Sequence, residues 1–99
     1  MHLYPEFIKN FDKISEYTKV NFGLNTALNF YDSVFGIIDK LSDFSEIGAV
    51  AYESEKAKDK NIRQLIVKNH RIIYMIENDT VYILTILSAR LGPAENLEK

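Results

Sequence analysis

The cationic side chains of this sequence crowd into one stretch, and any chemistry has to be sought there first. Residues 56–71 carry Lys56, Lys58, Lys60, Arg63, Lys68 and Arg71 against the single carboxylate of Asp59. His70 adjoins Arg71, and Tyr74 follows in the run "HRIIYMIE". A further arginine, Arg90, stands at the end of the apolar run "TVYILTILSAR". A guanidinium is charged at any physiological pH and is costly to bury unpaired. Arginines bordering β-branched, apolar segments therefore mark either scaffold pairings or a surface that meets an anion. The rest of the chain is acidic: residues 1–55 hold four Lys/Arg and nine Asp/Glu, and the whole chain has a net charge of −2. A protein that binds nucleic acid across a whole face is usually basic throughout. Here any contact with a polyanion would have to be local.

Several kinds of chemistry are excluded by what is missing. There is no cysteine, so disulfides, cysteine-based zinc sites and thiol nucleophiles are ruled out. Two histidines and the four glycines at 23, 36, 48 and 92 form neither a metal-ligand spacing nor a phosphate loop. No metal and no cofactor are therefore expected. The chain is 99 residues, the size of one domain, and it is 46% hydrophobic with six Tyr and six Phe, enough for a core without staples. No basic-then-apolar leader is visible, and no apolar run nears the roughly 20 residues of a membrane span. The longest, "VYILTIL", has strand length. A cytoplasmic protein with no membrane contact is the expectation. "NDT" at 78–80 matches a glycosylation sequon but reads as a turn.

The elements that must position these groups fall into two halves. The first is helical. Pro5 and Glu6 suit a first helical turn, and Phe7, Phe11, Ile14 and Thr18 follow at helical spacing, flanked by Ile8 and Tyr17. Gly23 ends this helix, about 5–22, and Asn25 is a plausible N-cap for the next, about 25–41. Ala27, Phe30, Tyr31, Val34, Ile37, Ile38 and Leu41 form its apolar stripe, and Gly36 inside it would allow close packing. Two helices with so short a joint make an αα-hairpin. Residues 42–61 are mixed: "SDFSEIG" reads as a turn anchored by Phe44 and Ile47, while "AVAYESEKAKDKN" fits no single state.

The second half reads as a meander, with strands at about 62–68, 70–77 and 80–88 joined tightly at "KN" and "ND". His70, Ile72, Tyr74 and Ile76 share one face of the middle strand, and Arg71, Ile73, Met75 and Glu77 the other. The expected fold is α+β: an N-terminal αα-hairpin packed on a small antiparallel sheet, a three-stranded meander with room for a short N-terminal edge strand.

The order and spacing of these segments resemble the RelE/ParE toxin superfamily of bacterial type II toxin–antitoxin systems, the plasmid-stabilisation type of toxin. "YPEFIKNFDKI" looks like the family's helix start and "LSDFSEIG" like its Phe-x-x-x-Gly turn. "IRQL" looks like its Arg-x-Leu strand, "HRIIY" like its Tyr-Arg-Ile-x-Tyr strand with His70 for the first Tyr, and "ILSARL" like its closing segment. The departures are specific. Only "MHLY" precedes the helix where the family has a longer first strand, Ser88 stands where His is frequent, Leu91 replaces a second basic residue, and no Tyr follows Arg90.

The resemblance implies one of two activities. One branch of the family cleaves ribosome-bound mRNA without a metal. Attack by a 2′-OH needs a base, cations to stabilise the phosphorane and an acid for the leaving oxygen. As such an endoribonuclease, the chain would draw catalytic groups from Arg63, Arg71, Arg90, His70 and Tyr74, with Lys56, Lys58 and Lys60 binding the strand. The ParE-like branch inhibits DNA gyrase by binding. The missing His and Tyr and the overall acidity bring the chain closer to this second branch, because approach to a phosphate surface depends on counterion release by basic groups.

Each residue also has an architectural explanation. Arg71 would pair with a carboxylate such as Glu77 or one from the helices, Arg63 would be solvated or paired, and the Lys run would be a solvated loop. The Tyr and Phe at helical spacing would be core, not a stacking platform. The partners implied are a cognate antitoxin, which would add a helix and a strand to the toxin, and gyrase or the ribosome as target. A different class of function also fits: an inactive interaction module that forms a homodimer through an exposed sheet edge.

Overall fold

The chain is described by a computed structural model over residues 1–50 and 61–88. In chain order it forms β1 (His2–Leu3), α1 (Pro5–Phe22), α2 (Leu24–Asp43), β2 (Ala49–Val50), β3 (Ile62–Val67), β4 (His70–Glu77) and β5 (Thr80–Ser88). The helical hairpin packs on one face of a sheet ordered β1-β5-β4-β3-β2, an α+β fold. The meander is its centre, but the sheet is not antiparallel throughout. β1 runs parallel to β5, with His2 opposite Tyr82 and Leu3 opposite Ile83. β2 adds an antiparallel partner to β3 at Arg63 and Gln64. Both extra strands are only two residues long, too short to show an alternating pattern in the sequence. Tyr4 N–H donates to the Ile83 carbonyl at 2.9 Å, and the His2 ring stacks on Tyr82 with centroids 5.2 Å apart, which together hold β1 in place.

The helices form for local reasons and stay in place through packing. Pro5 occupies the first turn of α1, where its missing N–H costs nothing. Gly23, at φ 95°, is the whole joint: it caps the end of α1 and the start of α2, so Asn25 already lies inside the second helix. The Gly23 N–H donates to Lys19 O at 3.0 Å, and the Thr26 hydroxyl donates to Phe22 O at 3.1 Å, so two end carbonyls of α1 are satisfied.

The buried stripe is Phe7 and Phe11 from α1 with Phe30, Val34, Ile38 and Leu41 from α2, closed against Ile72, Tyr74, Val81, Ile83 and Ile86 of the sheet. Phe11 stacks on Phe30 at 5.5 Å and meets the edge of Phe35 at 5.2 Å. The aromatic set is not all core. Tyr17 is 63% exposed, Phe22 65% and Tyr31 50%. Gly36 also departs from the expectation of close packing, since a Cβ there would meet nothing within 4 Å. It is a helix-interior glycine on an exposed face, so Gly36→Ala should raise stability by about 0.5–1 kcal/mol. A higher midpoint in chemical denaturation would show this.

The tight connections are two-residue turns with both central residues left-handed: Lys68 and Asn69 at φ 49° and 63°, Asn78 and Asp79 at φ 51° and 62°. Their twist matches that of the flanking strands. β5 departs from strict alternation. Ile73 pairs with Thr85, but Tyr74 pairs with Ile83, so Leu84 is an extra residue, a β-bulge. The bulge lets Ile83 and Ile86, three apart, both enter the core. Beside it, the Asn10 side-chain amide donates to Thr85 Oγ1 at 2.9 Å and to Ile86 O at 3.4 Å, tying α1 to β5.

Candidate functional site

The sequence singles out Arg63, Arg71, Arg90, His70 and Tyr74, with Lys56, Lys58 and Lys60. Lys56, Lys58, Lys60 and Arg90 lie outside the described residues. The other four fall in three separate places.

Arg63 and Tyr74 form one unit. They are directly paired across β3 and β4, on the face that receives the helices. Tyr74 is fully buried, and its hydroxyl is used twice. It donates to the Ser45 carbonyl at 2.7 Å and accepts from the Gly48 N–H at 2.9 Å. Burial raises the pKa of the phenol above its ordinary value; Glu46 adds to this, while the Gly48 hydrogen bond and the Arg63 charge oppose it. The group is thus a neutral phenol at physiological pH. Arg63 finishes the same turn, donating through Nη1 to Gly48 O at 2.8 Å and Glu46 O at 3.3 Å, and through Nε to Asn61 Oδ1 at 3.0 Å. Gly48 is required here. A Cβ would lie 2.6 Å from Tyr74 Oη and 2.8 Å from Gln64 O. The Phe-x-x-x-Gly turn at 44–48 is therefore clamped to the sheet by Tyr74 and Arg63.

Arg71 lies on the other face. It pairs across β3 with Ile66, three residues from Arg63, and an odd separation along a strand reverses the face. Only 4% of Arg71 is exposed, and its Nη1 donates to Gln64 Oε1 at 2.6 Å. Glu77 is not its partner, because six residues of one strand separate them by about 20 Å. One contact of Arg71 is with a neutral amide on the neighbouring strand.

His70 is at the turn end of β4, paired with Val67 and Ser88. Its ring packs on Phe30 with centroids 5.0 Å apart, and Nδ1 lies 2.8 Å from Lys68 O. A carbonyl can only accept, so Nδ1 carries the proton and Nε2 is the atom left to meet a ligand. His70 opens into a groove of about 410 Å³ between α1 and the β3–β4 turn, with Lys13, Tyr17, Phe22 and Lys68 on its walls. These groove residues were not legible as a set. Tyr17 reads as a flanking position of one helix and Lys68 as part of a turn. Among the described residues no cluster of His, Cys, Asp or Glu could hold a metal ion, and no helix is long and apolar enough to cross a membrane.

A hairpin of helices on a mixed sheet, with a Phe-x-x-x-Gly turn clamped by a strand Arg and Tyr, defines a small α+β fold. The family profile described as "ParE toxin of type II toxin-antitoxin system, parDE" matches residues 2–91, and the chain belongs to that family. Among solved structures it is similar to a chain of the "Chromosomal ParDE TA system from P. aeruginosa", with a TM-score of 0.69 and 20% sequence identity, over 89% of this chain and 95% of that one. No curated protein sequence matches. The chain is thus a ParE-type toxin of the type II class.

Proposed function

We propose that this toxin arrests bacterial growth by binding a target such as DNA gyrase, in the cytoplasm, and that a cognate antitoxin neutralises it. One observation carries the preference for binding over RNA cleavage. Among the described residues, the groups that a metal-independent endoribonuclease would bring together are dispersed. Tyr74 and Arg63 are used in clamping the 44–48 turn, Arg71 is buried on the opposite face, and His70 opens into a separate groove. A base, an acid and a cationic cradle act on one phosphate only when they converge within hydrogen-bond reach of it. The family match supports the toxin reading itself.

The antitoxin has an edge to use. Among the described residues β2 pairs with β3 only at Arg63 and Gln64, so Leu65–Val67 have no outer strand partner there. An unpaired edge is a template for an added strand. The same edge would serve a homodimer.

Induced expression should stop growth, and co-expression of the small frame adjoining the gene should restore it. The purified toxin should inhibit gyrase supercoiling, and primer extension on translated mRNA should show no new cleavage. Codon-phased mRNA cuts with normal supercoiling would sink the gyrase reading in favour of the endoribonuclease. Harmless induction with a stable dimer by sedimentation would replace both with an interaction module.

A further inference from the structure

We propose that the groove between the C-terminal half of α1 and the β3–β4 turn is a binding site for a nucleotide unit, its phosphate held by Lys13 and Lys68 and its base stacked on Tyr17 or Phe22. The site goes beyond the toxin reading above and does not depend on it.

The first observation is charge. Lys13 comes from α1 and Lys68 from the turn, two elements far apart in sequence that the fold sets on facing walls. Among the described residues no carboxylate lines this groove, in a chain whose first half is acidic. Two carboxylates of the same helix, Asp12 and Glu16, line a second hollow against α2 together with Lys19. α1 thus turns Lys13 toward one groove, and Asp12 and Glu16 with Lys19 toward the other. Two ammonium groups without a local carboxylate suit a phosphate.

The second observation is the aromatic pair. Tyr17 and Phe22 are each nearly two-thirds exposed and meet edge to face at 6.3 Å. Neither contributes to the core cluster. Exposed rings beside a cationic wall are the stacking platform by which single nucleotides and single strands are held. Around them stand groups that both donate and accept, Thr18, Asn69 and Ser88, together with His70, a mixture that suits a sugar and a base edge. A volume of about 410 Å³ is within the range of about 300–1,000 Å³ for small-molecule pockets.

The third observation concerns Lys68. It occupies the first central position of the turn at φ 49°, where Asn or Gly is preferred. A lysine stands there against that preference, and the turn brings its side chain to the groove wall. Lys68→Asn should therefore act in opposite directions: the turn becomes more stable while ligand binding weakens. A purely structural lysine would not divide the two effects.

The test is fluorescence anisotropy with the full chain and a 5′-labelled oligothymidylate, alongside titration with unlabelled adenosine monophosphate followed by amide chemical shifts. Thermal melts check that each variant is folded. Binding should fall with rising salt. Lys13→Gln with Lys68→Gln should weaken it by about tenfold or more, and Tyr17→Ala with Phe22→Ala by a similar factor. Lys19→Gln, which alters the other flank of α1, should leave it unchanged. Shifts from the mononucleotide at Lys68–His70 identify a free nucleotide as ligand, and binding of the oligonucleotide alone identifies a single strand. Either supports the site. No binding, equal weakening by Lys19→Gln, or binding insensitive to the aromatic variants overturns it. Displacement of the oligonucleotide by polyglutamate at equal concentration also overturns it, because the groove would then recognise an acidic peptide.

Discussion

Gly48→Ala should destabilise the protein by about 3 kcal/mol, at the upper end of the usual cost of overpacking. The added methyl would lie 2.6 Å from Tyr74 Oη, 2.8 Å from the Gln64 carbonyl oxygen and 2.9 Å from Tyr74 Cε1. None of these can move freely. The tyrosine is fully buried in the core cluster, and the carbonyl belongs to β3 where it pairs with β2. The turn would have to lift from the sheet, and Arg63 would then lose its acceptors on Gly48 and Glu46. For a domain of this size each kcal/mol lowers the melting temperature by about 4–8 °C. A thermal melt should therefore shift by more than 10 °C or so. An unchanged melting temperature would mean that the turn is not clamped in solution. Toxicity should fall with the folded fraction.

Tyr74→Phe should cost about 1–3 kcal/mol, because removing the phenol oxygen leaves the Gly48 N–H and the Ser45 carbonyl facing an apolar ring. A cleaner signature comes from alkaline pH. Burial is the main cause of the raised pKa of Tyr74, so the folded state holds the phenol proton more tightly than the unfolded state does. The stability this contributes is present in full below about pH 10, the unfolded value for tyrosine, and is lost as pH rises through the higher folded value. The wild type should lose stability above about pH 10 with a slope of up to 1.4 kcal/mol per pH unit from this residue, and Tyr74→Phe should lack that contribution. Denaturant midpoints for the two proteins between pH 8 and 11 measure it; parallel curves would contradict the buried phenol. The two substitutions should also couple. In a Gly48→Ala background the hydroxyl is itself a clashing atom, so Tyr74→Phe should cost less there than alone, by about 1 kcal/mol.

These outcomes bear on how the site is understood. If Tyr74→Phe and Arg63→Met reduce toxicity only as far as they reduce folding, both residues act by supporting the turn and not by chemistry. Arg71→Lys provides the contrast. It keeps the charge but loses the planar fork that reaches Gln64. A loss of toxicity beyond the modest loss of stability would show that buried Arg71 supports a target-facing surface from beneath.

Local order was legible in the residues. The apolar stripes, Pro5 and Gly23 mark the two helices, and the β-branched runs separated by "KN" and "ND" mark the meander. These signals depend on neighbours a few residues apart. β1 was legible only as room for a short N-terminal edge strand and β2 not at all, because two residues show no period and their existence depends on β5 and β3 being there to accept them. The bulge at Leu84 was hidden for the opposite reason: "YILTIL" is apolar at so many positions that alternation cannot reveal where it breaks.

For the candidate site the division is sharper. The residue types and their order sufficed for the resemblance to the toxin family, since a motif such as "HRIIY" or "FSEIG" is itself a string. Which atoms those residues meet was decided in three dimensions. Arg63 and Arg71 look alike in the sequence, each at or near a strand start. Pairing register puts one on the helix face holding a turn and the other on the opposite face against Gln64. Tyr74 looked available for proton transfer until the turn at 44–48 closed over it. The sequence by itself determined the class of protein, because class follows from the kinds of segment and their order. Only the tertiary structure decided that Arg63, Arg71, His70 and Tyr74, the candidates among the described residues, are dispersed and that Lys13, Tyr17 and Lys68 line one groove, because those relations join residues as much as 55 positions apart through packing that no local pattern records.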